Sequence, residues 1–209
     1  SNMESSATHS YSFNNAEEEI ANANYPMIRL FQVAKSTSDT KQDDLSGTWT
    51  VCSPETMKTF SGTAYFFGRE LYKKLDVPIG LIHASWGGTA AEVWTDKEVI
   101  DADPELSENT SKLRVTDWWP VKSGAAFNAM IAPFVNYQIA GAIWYQGESN
   151  TVAPLSYTRL FQAMITDWRS KWGYEFPFYY VQIAPFKYTT PYVGVLLREA
   201  QLKSMTLPN

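Results

Sequence analysis

Two short strings in this 209-residue chain set glycine beside polar side chains: Trp86-Gly87-Gly88-Thr89 and Gln146-Gly147-Glu148-Ser149-Asn150. Glycine has no Cβ, so its backbone N–H can approach a ligand closely. An N–H presented where a helix begins suits the oxygen that turns negative when a carbonyl is attacked. Gln146 adds a side-chain amide at a strand end, while Glu148, Ser149 and Asn150 either brace their loop or meet a polar ligand. Turn grammar alone makes a bare tight turn the commoner reason for paired glycines. Glu92 and Trp94 follow the first string, and a buried glutamate there is more often structural.

Other chemistries find less footing. His83, two residues before Ser85, reads as a hydrogen-bonded core residue sooner than as a general base; His9 sits in a polar stretch and reads as solvated. No His/Asp/Glu grouping has metal spacing. Gly-Gly-Thr lacks the longer glycine spacing and the lysine of a phosphate loop. Neither a metal nor another cofactor is expected. With 17 Lys+Arg against 22 Asp+Glu the chain carries a net charge of −5, which argues against a nucleic-acid partner. No apolar run approaches ~18 residues, so no membrane partner is expected. The lone Cys52 excludes an intrachain disulfide and a cysteine-rich zinc site.

The elements that must position these strings alternate strand and helix. Asn14 or Asn15 can cap a short helix whose first turn holds Glu17, Glu18 and Glu19. Met27–Val33, Val77–Ser85, Gly141–Tyr145 and Phe176–Ala184 read as strands, the second entered through Pro78. Ser61–Leu75 reads as a helix with Ala64, Phe67, Leu71 and Leu75 on one face; Ser156–Trp172 is the clearest helix, and Gly194–Met205 the last. Lys35–Thr56 reads as a long surface loop and Asp96–Val121 as an irregular insertion. This alternation implies an α/β domain over residues 1–209, a parallel sheet with helices on both faces. Ligands of such sheets bind at the carboxyl ends of the strands, so both strings belong on one rim.

At these residues the chain resembles the sialate O-acetylesterase family. Pro78–Thr89 with Glu92 and Trp94 is similar to that family's second block, and Gly141–Asn150 to its third. Glu17–Phe31 also has the family's look. The resemblance implies a three-layer α/β/α, flavodoxin-like fold of the SGNH hydrolases and a carbohydrate O-acetylesterase that works through a serine ester. It implies no cofactor, an acetylated carbohydrate substrate (sialic acid, xylan or another glycan), and a location outside the cytoplasm or in a lumen. From three residues alone, Ser1-Asn2-Met3 reads as a protease remnant before an initiator methionine. The family's nucleophile lies in a Gly-Gln-Ser-Asn-Met string, and by that resemblance Ser1 is the nucleophile, with Asn2 beside it. Ser1 N–H, Gly87 or Gly88 N–H and the Gln146 amide would then form the oxyanion hole. Asn2, Trp86, Glu92, Glu148 and Asn150 would bind substrate or support the loops. Trp86, Trp94, Trp118 and Trp119 offer sugar-stacking faces, whereas Trp144, Trp168 and Trp172 read as core.

The family's base, a histidine in an Asp-x-x-His-Pro-like string, has no match among these residues, nor has the strand that leads into the nucleophile. The first and last catalytic segments are therefore expected from elsewhere in the same protein or from another chain. The absent strand would leave a slot between Ile28–Val33 and Ile79–Ser85, and the 209 residues alone would be inactive. Two other readings remain: a silent glycan-binding module, and an N-terminal-nucleophile hydrolase, whose antiparallel sandwich this alternation does not suit.

Overall fold

The computed structural model describes residues 2–9 and 13–208, the Asn2 side chain excepted. They fall into two compact units: Ser1–Lys35 with Leu45–Gly87, and Ser36–Asp44 with Gly88–Asn209.

In the first unit β1 (Tyr25–Gln32) is the middle strand of three. Its residues Ile28 and Leu30 on one face and Phe31 on the other are buried. β2 (Trp49–Cys52) lies antiparallel on one side, with Leu30 opposite Thr50. β3 (Ile79–His83) lies parallel on the other, in register from Ile28↔Ile79 to Gln32↔His83. This corrects two expectations. The sheet is mixed, and no slot separates β1 from β3, because the backbone groups of the two strands satisfy one another directly. The expected Lys35–Thr56 loop contains β2 and a four-residue helix, α2 (Pro54–Met57), capped by Ser53.

α1 (Ala16–Ala21) is short and acidic, and an ion pair from Glu19 to Arg69 ties it to α3 (Gly62–Leu75). Ser61 Oγ accepts the Ala64 N–H at 3.1 Å and caps α3. The face of α3 differs from the expected one: Gly62, Ala64, Tyr65 and Gly68 are buried, whereas Phe67 and Leu75 are exposed. Small residues bring the helix close to β3; a Cβ at Gly68 would lie 2.6 Å from Leu81 Cδ1.

The second unit holds two parallel three-residue strands, β4 (Ala142–Trp144) and β5 (Phe178–Tyr180). The described residues therefore form two sheets, not one of four strands. The expected strand Phe176–Ala184 is cut short because the Ile183 N–H is taken by the Gln201 side chain at 2.9 Å. α6 (Tyr157–Trp172) buries Tyr157, Leu160, Phe161, Met164, Ile165 and Trp168, the expected stripe save for half-buried Trp172. Phe161 and Trp168 pack on Phe178 with ring centroids 5.7 and 5.9 Å apart, and Phe161 lies 6.0 Å from Trp144. Each such large side chain contributes about 1.5–3 kcal/mol on burial. α4 (Lys97–Asp101) and α5 (Pro104–Thr110) order part of the expected insertion, each capped by an aspartate. α7 (Val193–Lys203) completes the unit. Among the described residues no helix is long and apolar enough to cross a membrane, and no group of His, Cys, Asp and Glu could hold a metal.

Candidate functional site

The second glycine of the first string meets the second string within the second unit. The Ser149 hydroxyl donates to the Gly88 carbonyl at 2.7 Å. Gln146 Nε2 donates to the Thr89 carbonyl at 3.1 Å and to Asn150 Oδ1 at 2.7 Å. Gly88 and Thr89 are thus fastened to the turn that follows β4. With its carbonyl turned toward Ser149, Gly88 keeps its N–H free of hydrogen bonds to described residues. Its φ of +86° is open to glycine at little cost.

Behind these turns runs a buried polar chain. Tyr157 OH donates to Gln146 Oε1 at 3.0 Å. Asn150 Oδ1 accepts a second proton, from the Ala91 N–H at 3.0 Å, and Asn150 Nδ2 donates to Glu92 Oε2 at 2.8 Å. Gln201 Nε2 donates to the Gln146 carbonyl at 2.9 Å. Burial pushes the Tyr157 phenol up, so it remains a donor. Burial also pushes the Glu92 carboxyl up, and the Asn150 hydrogen bond pulls it partly back. Glu92 and Asn150 are 3% and 2% exposed, which leaves them to support the loop. Glu148 is exposed and opens a 3-10 turn over Glu148–Val152. Both Gln146 Nε2 protons are engaged, so an oxyanion could claim this amide only by displacing Thr89 or Asn150.

Trp94, expected as a sugar face, is instead buried in the core. Its indole N–H donates to Thr89 Oγ1 at 2.8 Å, and the Trp168 indole donates to its carbonyl at 3.0 Å. Trp118 is 81% exposed, and the Trp119 ring lies over Gly88.

In the first unit, Trp86 is half-buried with the Lys35 ammonium 5.8 Å from its ring, and Gly87 ends the unit half-buried. His83 is buried and bonded at both nitrogens, Nδ1 to Gln32 Oε1 at 2.7 Å and Nε2 to Ser85 Oγ at 2.6 Å. Gln32 Nε2 faces the Val33 and His83 carbonyls, so its Oε1 accepts from Nδ1–H, and Nε2 is left to accept from Ser85. Burial pushes the imidazole down to about 4, only partly opposed by the charge of Glu4. The nucleophile assigned to Ser1 and the Asn2 side chain lie outside the described residues. Sequence reasoning missed Tyr157 and Gln201 as partners of Gln146. A glutamine one helical turn beyond Leu197, on the buried side of α7, was the available signal.

A family model described as a carbohydrate esterase, sialic acid-specific acetylesterase, matches residues 1–209. A sialate O-acetylesterase of Mus musculus is 33% identical over 89% of this chain and 42% of its own. One of Homo sapiens is 35% identical over 74% of this chain and 31% of its own. A crystal structure of a carbohydrate acetylesterase from Xanthomonas citri superposes with a TM-score of 0.84 at 32% identity, over 100% of this chain and 46% of the other. The chain therefore spans less than half the length of the relatives it matches. A family match over residues 1–209, with a relative 33% identical over 89% of this chain, places this chain in the sialic acid-specific acetylesterase family of carbohydrate esterases.

Proposed function

We propose that the protein carrying this chain is a carbohydrate O-acetylesterase that removes acetyl groups from sialic acid or a related glycan. The observation that carries the reading is the joined corner: Gly88 has its carbonyl held by Ser149 and its N–H free of hydrogen bonds to described residues, beside a strand-end glutamine. On this reading Ser1 Oγ attacks the acetyl carbon while a base takes its proton. The oxyanion is met by backbone N–H groups of Ser1 and of Gly87 or Gly88. The sugar oxygen departs with a proton, and water then hydrolyses the acetyl-serine. Removal of one oxyanion donor costs about 2.7–4 kcal/mol of barrier in such reactions. Gln146 supports the corner through Thr89 and is the fourth candidate donor. The base comes from a segment outside these 209 residues, since His83 has both nitrogens engaged at the end of β3. The finer architecture that goes with this reading is the three-layer SGNH arrangement, and the site of action is outside the cytoplasm or in a lumen.

A silent glycan-binding module is the second reading, favoured by the full engagement of the Gln146 amide. Hydrolysis of p-nitrophenyl acetate by the native-length protein separates the two. The esterase reading requires turnover that Ser1→Ala abolishes; glycan binding without turnover refutes it.

A further inference from the structure

We propose that Asn150, held by Glu92, is a positioning residue of this reaction: its one side-chain oxygen gathers the Gln146 amide and the Ala91 N–H and so sets the glycine corner. The inference rests on the esterase reading of that corner.

Asn150 Oδ1 is a shared acceptor, 2.7 Å from Gln146 Nε2 and 3.0 Å from Ala91 N. Gln146 belongs to the end of β4, and Ala91 opens the 3-10 turn Ala91–Trp94 that follows the glycines. One oxygen therefore joins the two segments whose spacing decides where the Gly88 N–H points. Its location demands an amide. Oδ1 must accept twice, while the other end of the side chain must donate to Glu92 Oε2 at 2.8 Å. Aspartate keeps the first property and loses the second; a hydroxyl is too short for both. Glu92 fixes which way Asn150 faces, since a carboxylate offers only acceptors. Neither residue reaches solvent, so any effect on rate passes through the groups they hold.

This pairing allows a reciprocal exchange. Asn150→Asp sets a second carboxyl against Glu92 in a buried place; once both are ionised, repulsion drives the introduced carboxylate off Gln146 and Ala91. Glu92→Gln in the same molecule returns a donor opposite that carboxylate and restores both accepted bonds. Glu92→Gln alone still offers Asn150 an amide oxygen.

The test is steady-state hydrolysis of p-nitrophenyl acetate by the native-length protein at pH 8, where a proton shared between the carboxyls is least available, with Tm measured alongside. Asn150→Asp is expected to lower kcat on the order of 10-fold or more with KM within about twofold. The double variant is expected to recover most of the kcat that Asn150→Asp loses. Asn150→Ser introduces no charge and is expected to lose kcat at unchanged KM. Wild-type kcat in Asn150→Ser overturns the proposal, as does a double variant no faster than a slowed Asn150→Asp. Gln146→Ala separates the two levels. If it keeps full kcat, the reading of the corner fails and this inference with it. If it loses rate while the Asn150 variants do not, the inference alone fails.

Discussion

Gly88→Ala tests the geometry of the corner in energetic terms. The substitution meets two costs. At φ +86° an L-residue with a Cβ pays about 1–2 kcal/mol that glycine avoids. The added Cβ would also stand 2.4 Å from Cδ2 and Cε3 of Trp119, a contact that requires ring or backbone to move, and such overpacking costs about 1–3 kcal/mol. Together they predict a loss of about 2–5 kcal/mol, or roughly 4–20 °C of Tm for a chain of this size. Denaturant midpoints at constant slope measure it. The two costs separate in a Trp119→Ala background, where only the backbone strain of about 1–2 kcal/mol should remain. A loss below about 1 kcal/mol, or a cost that is the same in both backgrounds, refutes the assignment of the strain to φ and of the clash to the indole.

Three further outcomes are expected. His83 is held neutral, near 4 against an ordinary 6.5, so its contribution is whole above pH 6.5, falls away as pH drops toward 4 and stays lost below. The loss is roughly 3 kcal/mol, and His83→Asn should flatten that limb of a stability–pH curve; an unchanged limb contradicts the burial argument. Burial pushes the Cys52 thiol up to about 11, and the residue is fully buried, so a thiol reagent at pH 8 should react only after denaturant is added. Trp118→Ala removes an exposed ring and should shift stability by less than about 0.5 kcal/mol. If that ring stacks on sugar, KM for an acetylated glycan rises while p-nitrophenyl acetate kinetics stay constant.

What the sequence disclosed follows from how each feature is held. α6 was legible because its apolar residues repeat at helical spacing over 16 residues. The two glycine-containing turns were legible because a strand ending in glycine and polar residues is a local signal. β2 was not, since four residues inside a polar stretch carry no period, and their pairing with β1 is long-range. The buried side of α3 was misjudged because Gly62 and Gly68 face inward for closeness and not for apolarity. Gln201 escaped notice because a polar residue on an apolar helix face gains its meaning only from Ile183 and Gln146, 18 and 55 positions away. The expected slot beside β1 came from analogy, and direct pairing of β1 with β3 replaced it.

Gln201 also imposes an order of events. The carbonyl of Gln146 and the N–H of Ile183 are fastened by one amide that leaves the ribosome after both of them. A nascent chain released only as far as Trp172 already has the helix that covers β4, yet the end of that strand is still loose. Assembly of the corner must then wait for the final stretch of the second unit to emerge and dock. A synthesis arrest placed before residue 193 should yield a corner that protease can still cut, and one placed well beyond residue 203 a corner that resists.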